Sequence, residues 1–369
     1  MTGTNKKDNV ITLGPAHPLL IEPLQLKYYT KGDKVVNAEL NIGYVHRGIE
    51  KAMEGRDFHQ AVNLAERVCG ICNASHALTY CVAAEGAIGI KPTDKADLIR
   101  VVLVELNRLH SHLLWLGAYV EAIGLAPLFV QSWKIREIIL DATELISGSR
   151  VISSSIVVGG VRRNIDAELF KKVKGLLAKF EEEFRKIEPI FRNDSTIKKR
   201  SVGIGNLTKD IAIKTSAVGP VARGSGIEWD LRTTKQSGYR FFDYKPIVED
   251  GCDCYARMLV RLDEVKPALE MVYEAMNMCQ DYKDTLWIKP DKWPSAVGIG
   301  RVEAPRGELF YYAKGNGTNH LERVRIRTPT YANIPALLAM LPGCNAADVA
   351  TILLTIDPCM ACAERKMEV

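Results

Sequence analysis

Long apolar runs are missing from this 369-residue chain. The most apolar stretch, Leu113 to Val130, is broken by Gly117, Glu121, Gly124 and Pro127, whereas a bilayer span needs about twenty apolar residues. It reads instead as a buried helix, a break and a second helix. No apolar segment follows the polar start Met1-Thr2-Gly3-Thr4-Asn5-Lys6-Lys7-Asp8, so no secretory signal is expected. A strong charge of one sign is also missing. The formal net charge is +5, without the concentrated basic patch of a nucleic-acid binder. The densest basic run, Lys198-Lys199-Arg200, is expected to be a solvated loop. Internal repeats and low-complexity segments are absent.

Hydrophobic residues at 47% and charged residues at 25% describe a globular protein with a sizeable core. Leu24–Tyr28 and Val36–Ile42 alternate apolar and polar residues around the turn Lys31-Gly32-Asp33-Lys34, which predicts a β-hairpin ended by Gly43. From about Gly48 the chain reads as helical over 56–86, 94–124, 128–146, 166–187 and 253–282. Thr93 is the expected N-cap of the second of these. In the last, Arg257, Arg261 and Glu264 suggest a half-exposed face. Short strand-like runs between Trp293 and Arg327 predict a β-ribbon. The fold class is therefore mainly α with a small N-terminal β-hairpin and a short β-ribbon before the C-terminus (α+β).

Of nine cysteines, Cys81, Cys252, Cys254, Cys279 and Cys344 have no iron–sulfur spacing and read as small buried hydrophobes. The other four form two Cys-x-x-Cys pairs near opposite ends, Cys69-Gly-Ile-Cys72 and Cys359-Met-Ala-Cys362. Without a secretory signal they read as thiols or metal ligands rather than disulfides. Two thiolates at this spacing can share one metal ion, and two pairs supply four soft donors. Zinc ribbons place their pairs roughly 15–20 residues apart; here most of the chain lies between them. Length alone suggests two or three domains, but ligands from both ends tie residues 1–369 into one interwoven unit. Within it, 1–45 is β-rich, 46–290 is a helical core, and 291–369 carries the ribbon and the metal-binding segment.

Arg67-x-Cys69-Gly70-x-Cys72-x-x-x-His76 together with Asp357-Pro358-Cys359-x-x-Cys362-x-x-Arg365 resembles the large catalytic subunit of [NiFe]-hydrogenases. Compact length, Leu13-Gly14-Pro15-Ala16-His17-Pro18 and Arg365 make it most similar to the energy-converting, membrane-bound branch, which is related to a subunit of respiratory complex I. That complex I relative has lost the nickel cysteines, whereas all four are present here. The resemblance implies a nickel–iron centre whose iron carries CO and cyanide. It makes Cys69 and Cys359 terminal nickel ligands, and Cys72 and Cys362 bridges between the metals.

Further roles follow from the same resemblance. Glu50, in Val45-His46-Arg47-Gly48-Ile49-Glu50, would pass protons from Cys359, and Arg306 would sit over the iron and its cyanide. The segment Pro329-Thr330 matches the one that donates hydrogen bonds to the second cyanide, and His76 would bond near a bridging cysteine. Arg67 is expected to pair with a carboxylate near the metal. His17, in the loop that meets quinone in the complex I relative, is given no catalytic role, and His110 and His112 are expected to be structural. Arg365 replaces a His that helps hold magnesium in other branches; a guanidinium cannot ligate a cation, which argues against magnesium here. The implied activity is reversible H₂ oxidation and proton reduction. The implied partners are an iron–sulfur small subunit and membrane-integral, ion-translocating subunits, with this chain peripheral on the cytoplasmic side of the membrane. The competing reading is a catalytically silent, complex I-like subunit whose four cysteines are empty or hold zinc.

Overall fold

The computed structural model describes residues 9–18 and 20–364. Arg365, which bears on the magnesium expectation, lies outside them.

The N-terminal sheet has three antiparallel strands in the order β1 (Asn9–Leu13), β2 (Gln25–Lys31) and β3 (Lys34–Asn41). The expected hairpin is β2–β3, with Leu26 opposite Leu40 and Tyr28 opposite Ala38. β1 is an added strand. Its run Asn9-Val10-Ile11-Thr12-Leu13 is exposed along most of its length, so it lacks the half-buried alternation by which strands are recognised.

Helices follow. The region 56–86 divides into α2 (Phe58–Glu66) and α3 (Asn73–Ile88), after a short α1 (Ile49–Glu54). The interruption is the Cys69–Cys72 turn itself. α4 (Asp94–Ala122) begins at Thr93, whose hydroxyl accepts the Ala96 N–H at 3.2 Å. It is buried on nearly every side, as a helix at the centre of a bundle must be. α5 (Ala126–Ser147) opens with Pro127 in its first turn, giving the helix, break and helix read from Leu113 to Val130. Among the described residues no helix is long and apolar enough to cross a membrane.

A two-stranded ladder, β4 (Ile156–Val157) and β5 (Gly160–Val161), precedes the amphipathic α6 (Ala167–Asn193). The basic run falls in a short helix, α7 (Ser195–Ser201), rather than a loop; Lys198 and Lys199 are solvated there. Then come α8 (Lys209–Lys214) and α9 (Pro220–Arg223). The segment 253–282 is two helices, α10 (Cys254–Asp263) and α11 (Val265–Met278), meeting at Glu264. Here the expected half-exposed face is wrong: Arg257, Arg261 and Glu264 are fully buried. Glu264 meets Arg223 and Arg232 in the core, while Arg257 and Arg261 donate to the buried Gly205 and Thr355 carbonyls. Helical spacing of charges marks a solvated face only when no such partners wait inside.

The ribbon is a three-stranded antiparallel sheet of β6 (Val297–Ala304), β7 (Gly307–Gly315) and β8 (Leu321–Arg327). α3 lies directly on β6. A Cβ at Gly298 would fall 1.8 Å from the Ala83 carbonyl oxygen, and one at Gly300 2.0 Å from that of Thr79. Only glycine permits such an approach. The last helices among the described residues are α12 (Pro329–Met340), α13 (Val349–Thr355) and α14 (Met360–Ala363). One contiguous hydrophobic cluster runs from Leu24 to Ala363. Cys81, Cys254 and Cys279 are buried in it as expected, while Cys252 and Cys344 are half-exposed.

Candidate metal centre

Both cysteine pairs sit where a backbone turn becomes a helix. Cys72 precedes α3 and Cys359 precedes α14. The Ile71 and Cys72 amides point at Cys69 Sγ at 3.4 and 3.2 Å. The two turns are stitched together by Arg47. Its guanidinium donates to the Arg67 and Val68 carbonyls at 2.9 and 2.8 Å, and across to the Ala361 carbonyl at 3.3 Å. Beside it, His46 Nδ1 bonds the Glu364 carbonyl at 2.8 Å, and the Glu364 carboxylate accepts the Val45 N–H. The Val45–Arg47 loop thus fastens the C-terminal cysteine turn onto the N-terminal one.

All four sulfurs are buried. Cys69 and Cys359 lie 3.5 Å apart, and Cys72 and Cys362 3.9 Å. The donors form two overlapping groups, each within 4.8 Å: Cys69, Cys359 and Cys362, and Cys72, His76 and Cys362. Cys362 belongs to both. Hydrogen bonds from Cys359, Cys362 and Cys72 hold the Cys69 thiol well below the usual thiol range. Burial and the neighbouring sulfurs push Cys362 well above it. Several thiolates at such separations need a cation between them, because each buried negative charge raises the next. Soft sulfur donors gathered this way can hold a metal ion.

Arg306 lies in the β6–β7 turn and is 1% exposed. Burial opposes its charge, but Asp357 and the sulfurs of Cys69, Cys359 and Cys72 outweigh it and keep the guanidinium charged. Nε donates to the Asp357 carbonyl at 2.9 Å, and Nη2 pairs with Asp357 Oδ1 at 2.7 Å. Its Nη1 and Asp357 Oδ2 are buried without a partner among the described residues. An unpartnered buried donor beside these sulfurs suits an acceptor carried by a bound group. Asp357 itself takes a left-handed backbone, φ 54°, which turns the chain into Cys359.

His76 is fully buried between Cys362 and Tyr311, with Nε2 3.5 Å from Cys362 Sγ and Nδ1 2.7 Å from the tyrosine hydroxyl. Pro329 opens α12. Thr330 Oγ1 accepts the Cys359 N–H at 3.2 Å, and Thr328 Oγ1 donates to the Cys362 carbonyl at 3.0 Å. Arg67 donates to the Asn63 carbonyl at 2.8 Å and approaches Glu66 at 4.0 Å, on the solvent side. Glu50, buried on α1, pairs with Arg325 at 2.7 Å and accepts the Ile326 N–H at 2.9 Å.

A different carboxylate faces Cys359. Glu22 Oε1 is 3.8 Å from Cys359 Sγ, and Oε2 accepts the Ala361 N–H at 2.8 Å. Burial, with Cys69, raises its carboxyl pKa against the pull of that N–H and of Arg306. Sequence reading missed Glu22, because a lone glutamate in the loop Leu20-Ile21-Glu22-Pro23 carries no local signal. Nearby, His17 helps line a cavity of about 470 Å³ with Leu20, Ile21, Leu114, Glu121 and Trp133.

Residues 122–294 and 287–365 match the family described as respiratory-chain NADH dehydrogenase, 49 kDa subunit, and residues 47–119 match the nickel-dependent hydrogenase family. The chain is 36% identical to membrane-bound hydrogenase subunit alpha of Pyrococcus furiosus, covering 96% of this chain and 87% of that one. It is 34% identical to the carbon monoxide-induced hydrogenase of Rhodospirillum rubrum, covering 96% and 99%. It is also 34% identical to a subunit of the F(420)H(2) dehydrogenase of Methanosarcina mazei, covering 96% and 97%. The chain belongs to the family that unites the large subunits of energy-converting, membrane-bound [NiFe]-hydrogenases with the 49 kDa subunit of respiratory complex I.

Proposed function

We propose that this chain is the catalytic subunit of a [NiFe]-hydrogenase that oxidises H₂ and reduces protons reversibly. One observation carries the reading: four buried sulfurs gather, and three of them, Cys69, Cys72 and Cys359, lie within electrostatic reach of a buried guanidinium that keeps one donor unpartnered. Cys69 and Cys359 would hold nickel, Cys72 and Cys362 would bridge it to iron, and CO and cyanide would complete the iron. When bound, this group supplies the site at which H₂ is split or formed. The overlap of the two donor groups at Cys362 supports a centre of two metals over a single zinc ion.

The protein's own residues then have defined tasks. Arg306 offers its charged Nη1 to a cyanide nitrogen, and Asp357 holds that guanidinium in place. Thr330 fixes the Cys359 backbone, and Pro329 sets the start of its helix; this segment would hold the second cyanide. His76 steadies the Cys362 sulfur through its bond to Tyr311. Glu22 takes the proton from the Cys359 sulfur. Its raised pKa is the direction a proton carrier at neutral pH needs. Glu50, the carboxylate implied by the family motif, is the next group to test on that route.

Electrons would leave through an iron–sulfur small subunit. Membrane subunits would couple the redox step to ion translocation, with this chain peripheral on the cytoplasmic side. A silent subunit with an empty or zinc-filled site is favoured by the match to the 49 kDa family, but such a subunit has no use for four converging thiols or for Arg306. Cys359→Ser should abolish H₂/D⁺ exchange in the assembled complex; retained exchange would overturn the proposal.

A further inference from the structure

The two peptide groups that donate to Cys69 are themselves gripped from behind. The Ile71 N–H belongs to the peptide whose carbonyl, Gly70 O, accepts Asn73 Nδ2 at 3.2 Å. The Cys72 N–H belongs to the peptide whose carbonyl, Ile71 O, accepts Asn107 Nδ2 at 2.6 Å. A donor on a peptide carbonyl polarises the N–H at its other end, so hydrogen bonds in such a chain strengthen one another. Both asparagines therefore push donor strength towards one sulfur.

The far end of Asn107 is not satisfied by protein. Its Oδ1, His110 Nε2 and Ser153 Oγ are all buried without a partner among the described residues. The three side chains line one cavity of about 10 Å³, next to Asn73 and Ala74, roughly the space a single water needs. The histidine's tautomer is set by its neighbour. Arg136 Nε donates to His110 Nδ1 at 2.7 Å, so Nδ1 must accept and the ring hydrogen resides on Nε2. Burial, then Arg136 and Arg306, hold this imidazole's pKa down to about 3, so the ring is neutral. A fixed donor, an unused acceptor and a hydroxyl thus converge on room for one water.

We propose that an ordered water joins His110 and Ser153 to Asn107, and that this relay, through the peptide between Ile71 and Cys72, tunes how strongly Cys69 donates electrons to its metal. Asn107 and His110 are positioning residues, acting on the centre through the turn. The tuning of a metal rests on the reading given under Proposed function; the water and the tautomer do not.

Three experiments on the full chain test it. A high-resolution crystal structure should show a water within hydrogen-bond reach of His110 Nε2, Asn107 Oδ1 and Ser153 Oγ. Nitrogen NMR, with the His110 ring assigned by its loss in His110→Gln, should find that ring neutral, with its hydrogen on Nε2, well below pH 6. A dry cavity or an Nδ1–H tautomer at His110 overturns the relay. Separately, cobalt(II) is titrated into the metal-free chain. Asn107→Leu and His110→Phe should move the thiolate-to-cobalt band to longer wavelength and weaken binding about 10-fold, while His110→Gln, which keeps a donor, should recover most of both. Should Asn107→Leu fail to fold, Ser153→Ala should give a smaller shift in the same direction. An unchanged band and affinity in these variants overturn the tuning. No cobalt uptake by the unaltered chain overturns the metal-centre reading and the tuning with it, and the crystal structure and NMR then decide the water and tautomer alone.

Discussion

Glu22 and Cys359 are 337 positions apart in the chain, yet their side chains touch. If Glu22 carries protons, Glu22→Gln should leave nickel and iron in place and slow H₂/D⁺ exchange by about 10²–10⁴-fold, the usual worth of a general acid–base group. Glu50→Gln, made beside it, should act more weakly, because Arg325 and the Ile326 N–H hold Glu50. Equal exchange in Glu22→Gln and the unaltered protein would remove Glu22 from the route. Arg47 invites a second test. Arg47→Lys keeps the charge but cannot reach three carbonyls at once, so metal content per chain should fall by about 10-fold; full loading would show that the two turns hold without the clamp. These residues differ in how legible they were. The cysteines, Arg306 and Thr330 announce themselves through motifs. Glu22 and Asn107 do not, since their work depends on contacts made only once the chain ends have met.

Among the elements, the meeting of α3 with β6 decides whether Cys72 and His76 reach the second pair. Gly298→Ala should destabilise by about 3 kcal/mol in a denaturant titration, because the new methyl would overlap the Ala83 carbonyl oxygen. Gly175→Ala, in open space on α6, should stabilise by about 0.5–1 kcal/mol. Equal effects would mean that the close approach matters no more than helix propensity. Helix α4 was readable from its Thr93 cap and apolar length, and the β2–β3 hairpin from alternation. The division of 253–282 was not, because Glu264 is drawn out of a solvated helix face by charges that sequence spacing does not reveal. Strand β1 escaped for the opposite reason: it is mostly exposed and carries no pattern.

Across the whole molecule, those charges form one buried network behind the arginine turn. Arg223 pairs with Glu264 at 2.6 Å and Glu303 at 2.8 Å, Arg232 with Asp230 at 2.7 Å, and Arg108 with Glu105 at 2.9 Å. Burial, then Asp230, push the Glu303 carboxyl up to about 7 against the pull of Arg223 and Arg232. The folded chain therefore keeps a proton that the unfolded chain releases above about 4.5. Stability must fall as pH rises through that window. Glu303→Gln, which cannot ionise, should gain stability over the unaltered protein between pH 4.5 and 7 and hold a constant lead above it. A difference independent of pH would mean that Glu303 is ionised throughout. The network also anchors the metal-facing turn, since Arg108 holds the Glu303 and Ala304 carbonyls. The most direct test of the whole account is an infrared spectrum of the anaerobically purified protein, taken with its nickel and iron content. The account predicts bands where metal-bound CO and cyanide absorb, with both metals present; no bands, with zinc or no metal on the four cysteines, would contradict it.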